Sequence, residues 1–134
     1  MILIDSSILL DVSSKDLAWF EWSSSALAEC GDRSSLCINQ IVYAEASVRF
    51  SSPDEFEEAW PAQYLVRESL PYAAAFLAGK AHTAYRRRGG TRTSTLPDFF
   101  IGAHALVAGY SLLTRDARRV REYFPSLDLI APGS

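Results

Sequence analysis

Short apolar runs alternate with amphipathic stretches along most of the chain. Continuous runs at residues 2–4, 36–38 and 111–114 are typical of buried strands, and a fourth strand is predicted over 127–130. Helical patterns fill the intervals, at about residues 6–10, 16–29, 40–50, 71–88, 97–108 and 116–124, and one more begins at 53. Strands that alternate with helices favour one α/β domain over residues 1–134 with a central, mostly parallel sheet flanked by helices.

Two helix starts and one helix end are marked by their residue types. Asn39 is a good N-cap for the helix that follows the second strand. Ser52, Pro53 and Glu55 form a capped start, in which serine caps, proline takes the first helical position and glutamate completes a capping box. Gly109 is a typical helix stop before the third strand.

The composition predicts a soluble protein. Of the 134 residues, 49% are apolar, which is enough for a hydrophobic core without disulfides. Cys30 and Cys37 are too few and too close together to form a secreted disulfide framework, so both are expected to be reduced and buried. No charged N-terminal segment or long apolar run is visible, so we expect a cytoplasmic location.

The net charge of −3 hides a strong asymmetry along the chain. Residues 1–68 carry twelve acidic and four basic residues, whereas residues 69–134 carry four acidic and nine basic ones. The segment 69–97 has no acid, and its cations are Lys80, Arg86, Arg87, Arg88 and Arg92. This asymmetry suggests a polyanionic partner, although a solvated basic face is an ordinary alternative.

Four acidic residues stand near the predicted strand ends. Asp5 directly follows the first strand, Asp116 follows the third after one residue, and parallel strands present such residues at one edge of the sheet. Glu45 lies in the helix after the second strand, and Asp98 in the first turn of a later helix. Each has an ordinary alternative. Asp5 and Asp116 could cap helices, and Asp98 could be an acid that the helix dipole stabilises in the first turn. Glu45 could pair with Arg49, one turn further on.

Four segments in order resemble PIN-domain nucleases. They are Ile-Leu-Ile-Asp-Ser-Ser-Ile-Leu-Leu-Asp from Ile2, Ile-Val-Tyr-Ala-Glu ending at Glu45, Leu-Pro-Asp-Phe-Phe-Ile-Gly-Ala-His-Ala from Leu96, and Leu-Leu-Thr-Arg-Asp ending at Asp116. The resemblance covers residues 2–132, and the chain length and motif spacing resemble the VapC-type toxins of bacterial toxin–antitoxin pairs.

The resemblance implies a metal-dependent endoribonuclease that uses Mg²⁺ or Mn²⁺. A metal-activated water would cleave structured or single-stranded RNA, such as transfer or ribosomal RNA loops, and leave 5′-phosphate and 3′-hydroxyl ends. The implied catalytic and metal-binding acids are Asp5, Glu45, Asp98 and Asp116, and the implied catalytic hydroxyl residues are Ser6, where threonine is more usual, and Thr114.

Several further residues have less certain roles. Arg86, Arg87, Arg88 and Arg92 precede Asp98 through a glycine- and hydroxyl-rich loop over 89–95, so we hypothesise that they hold the RNA backbone; a solvated helix end is the alternative. His82 and His104 lack metal-ligand spacing and are expected to be non-catalytic. Asp11 recurs in the family but is expected at the outer end of the first helix.

The resemblance also implies protein partners, a VapB-type antitoxin and a second copy of the chain in a homodimer. Trp19, Phe20 and Trp22, with Leu17 and Leu27, predict a broad apolar surface on the second helix, most of which is expected to lie in the core. The resemblance suggests that an antitoxin segment could pack on this surface.

Two other classes of protein are alternatives. A catalytically silent PIN-like module could bind RNA or protein, but four retained acids in apolar surroundings count against it. A metal-dependent α/β phosphatase would need a second aspartate two residues after Asp5, where Ser7 stands.

Overall fold

The computed structural model describes residues 1–92 and 95–133, so that two residues of the predicted loop over 89–95 lie outside the described part. Within these residues, five parallel strands form one sheet in the order β3-β2-β1-β4-β5. The strands are β1 (Ile2–Ile4), β2 (Leu36–Ile38), β3 (Leu65–Arg67), β4 (Ser111–Leu113) and β5 (Leu129–Ile130). The predicted α/β class and parallel sheet are confirmed, and β3 is an addition to the predicted strands.

Helices connect successive strands. The described residues contain α1 (Ser6–Ser14), α2 (Phe20–Arg33), α3 (Gln40–Ala46), α4 (Pro53–Ala59), α5 (Tyr72–Arg87), α6 (Leu96–Ala108) and α7 (Arg118–Tyr123), and a 3-10 turn at Ser47–Arg49 follows α3. The helix predicted from residue 16 begins only at Phe20, because Asp16 Oδ1 accepts bonds of 2.9 Å from the amides of Ala18 and Trp19 and holds a turn there.

The three predicted boundary residues act as expected. Asn39 Oδ1 accepts a bond from the Val42 amide, and Ser52 Oγ accepts one from the Glu55 amide. Gly109 ends α6 in the left-handed region at φ 75°, which glycine adopts without a Cβ penalty.

The hydrophobic core lies on both faces of the sheet. All three residues of β1 and of β2 are buried, as are Phe56 and Phe99 from the flanking helices. Cys30 and Cys37 are free and buried, as predicted. No helix in the described part of the chain is long and apolar enough to cross a membrane.

The chain adds β2 and β3 on one side of β1 and then β4 and β5 on the other side. This central strand pairs with β2 on one side and with β4 on the other, with Ile4 level with Leu113. Chain connections therefore diverge on either side of the β1–β4 pair, which leaves a crevice beyond the carboxyl ends of these two strands. Asp5 and Thr114, the first residues after them, stand at that crevice.

Candidate functional site

Asp5 is held at the end of β1 by hydroxyl groups. Its Oδ2 accepts bonds from Ser7 Oγ at 2.6 Å and from Thr114 Oγ1 at 2.9 Å. It occupies the N-cap position of α1, yet its side chain makes no capping hydrogen bond there. Burial raises the pKa of this carboxyl, and the two hydroxyl donors oppose the rise. The Asp5 side chain is thus oriented by Thr114, which follows β4, and by Ser7 of α1, and it is buried.

Glu45 reaches the same edge from α3. Ser6 Oγ donates to Glu45 Oε1 at 2.8 Å, which gives this serine a definite partner. Burial raises the pKa of Glu45, and the negative charge of Asp5 raises it further. The alternative partner, Arg49, is exposed in the 3-10 turn, and the ion pairs of the described residues do not join it to Glu45.

Asp98 is the acid whose pKa is affected by all three of the others. Burial raises its pKa to about 6, and the charges of Asp5, Glu45 and Asp116 add to the rise, whereas Arg119 opposes it. The Arg119 Nη1 atom lies 3.6 Å from Asp98 Oδ2. These contributions to the pKa of Asp98 indicate that the four predicted acids face one region of the structure.

Thr114 and Asp116 form the turn after β4. The buried hydroxyl of Thr114 accepts a bond of 3.2 Å from the Asp116 amide while it donates to Asp5. Asp116 is exposed and lies two residues before α7, whose N-cap is Ala117. The alternative in which Asp116 caps the last helix is therefore wrong.

A buried polar contact fixes the two helices that carry Glu45 and Asp98. Asn39 Nδ2 lies 3.0 Å from His104 Nδ1, which joins the start of α3 to α6. Burial lowers the pKa of His104, so its ring is neutral and Nδ1 can accept from the amide. This histidine supports the helices and lies outside the ring of acids.

Asp11 is not at the outer end of α1, contrary to the sequence prediction. It is buried and accepts bonds from Arg115 Nε and Nη2, both at 2.9 Å, and from Ser23 Oγ at 2.7 Å. The Arg115 amide also donates to Ser7 Oγ at 3.3 Å. The turn that holds Thr114 and Asp116 is therefore tied to α1 by its middle residue.

A groove of about 360 Å³ opens beside Asp116, between the end of α5 and α7. Arg88 and Arg92 of the predicted RNA-binding group line it. Arg86 and Arg87 are exposed on the last turn of α5 and are not among the described residues that line it. Residues that the sequence did not single out also line it: Tyr85, Arg118, Arg119 and Tyr123. The cluster of arginines after Asp116 was the available signal.

The apolar surface predicted on α2 is only partly formed. Leu17 is fully exposed but precedes the helix, whereas Leu27 is in the core and Trp22 packs against it. Trp19 lies beneath the Arg115 guanidinium, with its ring centre 5.4 Å from the Arg115 Cζ atom. One end of this surface therefore borders the turn that bears Asp116.

The donor set fits a hard divalent cation. Four carboxylates and three hydroxyl groups supply only oxygen atoms, the ligand type that Mg²⁺ and Mn²⁺ prefer. Among residues 1–92 and 95–133, no three His, Cys, Asp or Glu side chains form a ready-made metal cage. A hydrated ion needs only a few of these carboxylates as ligands, because Mg²⁺ keeps several of its waters.

The sheet is parallel, and acidic side chains lie near its switch point. This arrangement is typical of α/β domains whose ligands bind at the carboxyl edge of the sheet. Within that class, the chain belongs to the PIN domain family, whose sequence profile matches residues 2–123. Comparison with characterised proteins by sequence gives no significant match.

Solved structures share the fold over nearly the whole chain. A VapBC2 structure from Rickettsia felis, bound to a DNA fragment from their promoter, has a TM-score of 0.70 at 20% identity and covers 98% of both chains. VapBC-1 from nontypeable Haemophilus influenzae gives 0.72 at 17% identity, again over 98% of both chains. FitAcB from Neisseria gonorrhoeae gives 0.69 at 13% identity over 97% of this chain and 96% of that one.

Proposed function

We propose that the protein is a divalent-cation-dependent endoribonuclease, the VapC-type toxin of a toxin–antitoxin pair. The observation that carries the proposal is the approach of Glu45 and Asp98 to Asp5 at the switch point of the sheet, where the Thr114 hydroxyl bonds to Asp5 and to the Asp116 amide. A silent module would have no use for a carboxyl whose burial, together with the charges of three other acids, raises its pKa to about 6.

The proposed reaction is hydrolysis of a phosphodiester bond. A water oxygen bonds to phosphorus, the bond to the 3′ oxygen breaks, and the products carry a 5′-phosphate and a 3′-hydroxyl. Mg²⁺ or Mn²⁺, held by these carboxylates, would lower the pKa of a bound water and offset charge on the leaving 3′ oxygen, which takes up a proton.

The chain's own residues hold this site in shape. Thr114 and Ser7 orient Asp5, and Ser6 orients Glu45, so that the carboxylate oxygens are aimed before any ligand arrives. Asp98 and Asp116 complete the proposed ligand set. The RNA backbone would follow the groove beside Asp116, where Arg88 and Arg92 place positive charge. Loops of transfer or ribosomal RNA are the proposed substrates.

The test is incubation of the purified protein with total cellular RNA in Mg²⁺ or Mn²⁺ and in EDTA. We expect discrete cuts that EDTA abolishes and that are absent from the Asp5→Asn and Asp98→Asn variants. Asp54→Asn, which removes an exposed acid of α4, is the matched control and should cut like the wild type. Equal cutting by the wild type and both site variants would refute the proposal.

The proposed partners are a VapB-type antitoxin and a second copy of the chain, and the proposed location is the cytoplasm. The support is that the similar solved structures are VapBC and FitAcB assemblies, and that this chain leaves Leu17 and Val48 exposed. Size-exclusion chromatography with light scattering should give twice the chain mass, and a monomer at high concentration would exclude the dimer.

A further inference from the structure

Arg119 connects the acidic quartet to the groove. It lies in the first turn of α7, three residues after Asp116, and its Nη1 atom is 3.6 Å from Asp98 Oδ2. Its Cζ atom lies 5.4 Å from the centre of the Tyr85 ring, on the groove side. One guanidinium thus contacts an acid of the site and an aromatic wall of the groove.

The contact with Asp98 is easily exchanged. At 3.6 Å it is an ion pair without a hydrogen bond of ordinary length, and the two side chains keep 25% and 44% of their surface exposed. Pairs of this kind contribute little to stability because water competes for both charges. The contact with Tyr85 does not involve Asp98 and would keep the guanidinium in place after the pair opens.

The groove repeats the same arrangement at a second position. Arg88 lies over the Tyr123 ring, with 5.1 Å from Cζ to the ring centre, and pairs with Glu122 at 3.3 Å, where both partners are exposed. Each ring of the groove therefore carries one arginine whose ion pair is weak. Arginine binds phosphate through two parallel N–H groups, so both are suited to the backbone of a nucleic acid.

A divalent cation and Arg119 would compete for the same carboxylate. Asp98 faces three other negative charges, and Arg119 is the cation that offsets them. A doubly charged ion between the carboxylates offsets them more strongly and leaves the guanidinium without its acidic partner.

We propose that Arg119 is an exchangeable phosphate-binding residue, which pairs with Asp98 in the metal-free protein and with a backbone phosphate of RNA once a divalent cation binds the quartet. The inference rests on the proposed function. It deepens that function by naming the residue through which metal binding and RNA binding support each other.

The test measures two affinities of the full chain that should change in opposite directions. In a calorimetric titration with Mn²⁺ and no RNA, Arg119→Ala should bind the ion about threefold more tightly than the wild type, because a competitor of modest strength is gone. In Mn²⁺, its binding to a fluorescein-labelled single-stranded RNA 12-mer, shown intact on a denaturing gel, should be about tenfold weaker. The slope of log affinity against log salt should also fall by about 0.7, the loss of one phosphate contact.

Two further variants make the result specific. Arg33→Ala removes the same charge from the end of α2, away from the groove, and should match the wild type in both titrations. Arg119→Lys keeps the charge but not the two-point geometry, so it should keep the salt slope and lose part of the RNA affinity.

Other outcomes overturn the inference separately from the proposed function. If the wild type binds Mn²⁺ and cuts RNA while Arg119→Ala equals Arg33→Ala in both titrations, only the inference fails. If the Arg119 variants lose affinity for Mn²⁺ and RNA together, the residue has a structural role and the exchange is wrong. If the wild type neither binds Mn²⁺ nor cuts RNA, the proposed function fails.

Discussion

Asp11 and Arg115 form a two-point ion pair, with Nε–Oδ2 and Nη2–Oδ1 both at 2.9 Å, although 104 positions separate them in the sequence. The Asp11 side chain keeps only 3% of its surface exposed, and that of Arg115 keeps 31%. Arg115 stands between Thr114 and Asp116, and its amide donates to Ser7 Oγ. The pair thus holds one of the proposed catalytic acids from outside the quartet.

Loss of this pair should be costly for folding. In Asp11→Ala, Arg115 would keep a partly buried charge without a partner and Ser23 would lose its acceptor. We expect the free energy of unfolding to fall by about 2 kcal/mol, less than for a fully buried pair because Arg115 is partly solvated.

Urea denaturation measures this loss, and the chain offers a matched control. Glu57→Ala breaks the exposed Arg67–Glu57 pair and the bond from the Tyr43 hydroxyl, and should cost much less than Asp11→Ala. Equal losses of unfolding free energy in the two variants would show that the Asp11–Arg115 pair stabilises the fold no more than an exposed pair does.

The acids should make the metal-free protein less stable as the pH rises. The folded protein holds the proton of Asp98 more tightly than the unfolded chain does, since its pKa is raised from 3.8 to about 6. Stability therefore falls as the pH rises from about 4 through about 6, the window in which the native state binds more protons. Asp98→Asn should reduce this dependence, leaving the part due to Asp5 and Glu45, and be more stable than the wild type near neutral pH by about 1 kcal/mol after allowance for solvent screening.

Thermal unfolding in EDTA, at about pH 4 and at neutral pH, measures the difference in stability between the wild type and Asp98→Asn. The wild type and Asp98→Asn should unfold at nearly the same temperature at the acidic end and diverge at the neutral end. Addition of Mn²⁺ should then stabilise the wild type more than the variant, because the ion binds the folded state. A constant difference across the window would contradict the raised pKa.

The strands that could be predicted from sequence are those buried on both faces. The predicted bounds of β1 and β2 agree with the structure because each is a continuous apolar run enclosed by helices. β3 was missed because only Leu65 of its three residues is fully buried, and a short edge strand that includes Arg67 has no such pattern.

In the candidate site as well, some residues could be placed from the sequence and others could not. The positions of Asp5 and Asp116 follow from strand order alone, because parallel strands deliver their next residues to one edge. Asp11 was misplaced because its partner lies far along the chain and nothing local marks a buried aspartate. Arg119 could not be distinguished from Arg118 and Arg121 in a basic run, since only the packing of α7 decides which one meets Asp98.

The Thr114 hydroxyl should matter for metal binding more than for folding. Thr114→Val keeps the shape of the side chain but removes the donor to Asp5 and the acceptor for the Asp116 amide. We expect RNA cleavage and Mn²⁺ affinity to fall by about tenfold, the scale of lost outer-shell contacts in metal sites. Thr83→Val is the control, since its hydroxyl bonds only to the Gly79 carbonyl on exposed α5. Cleavage at the wild-type rate in Thr114→Val would separate this hydroxyl from the site.

The contact between α6 and α7 depends on a glycine. A Cβ added at Gly102 would lie 2.9 Å from Phe124 Cδ2 and 3.3 Å from Val120 Cγ1, so a larger residue forces the Phe124 ring or α7 to shift. Gly102→Ala should lower the free energy of unfolding by about 1–2 kcal/mol, because overpacking outweighs the better helix propensity of alanine.

Gly79→Ala is the matched control for this prediction. A Cβ at Gly79, in the middle of α5, meets no atom within 4 Å, so alanine should stabilise the protein by up to about 1 kcal/mol. The two substitutions are chemically identical, and opposite signs in urea denaturation would isolate the α6–α7 contact. Because α7 carries Arg119, Gly102→Ala should also weaken RNA binding while Gly79→Ala leaves it unchanged. Equal stabilisation by both would mean that the Phe124 ring moves aside for the added methyl group without displacing α7, and the position of Arg119 would then not depend on this packing.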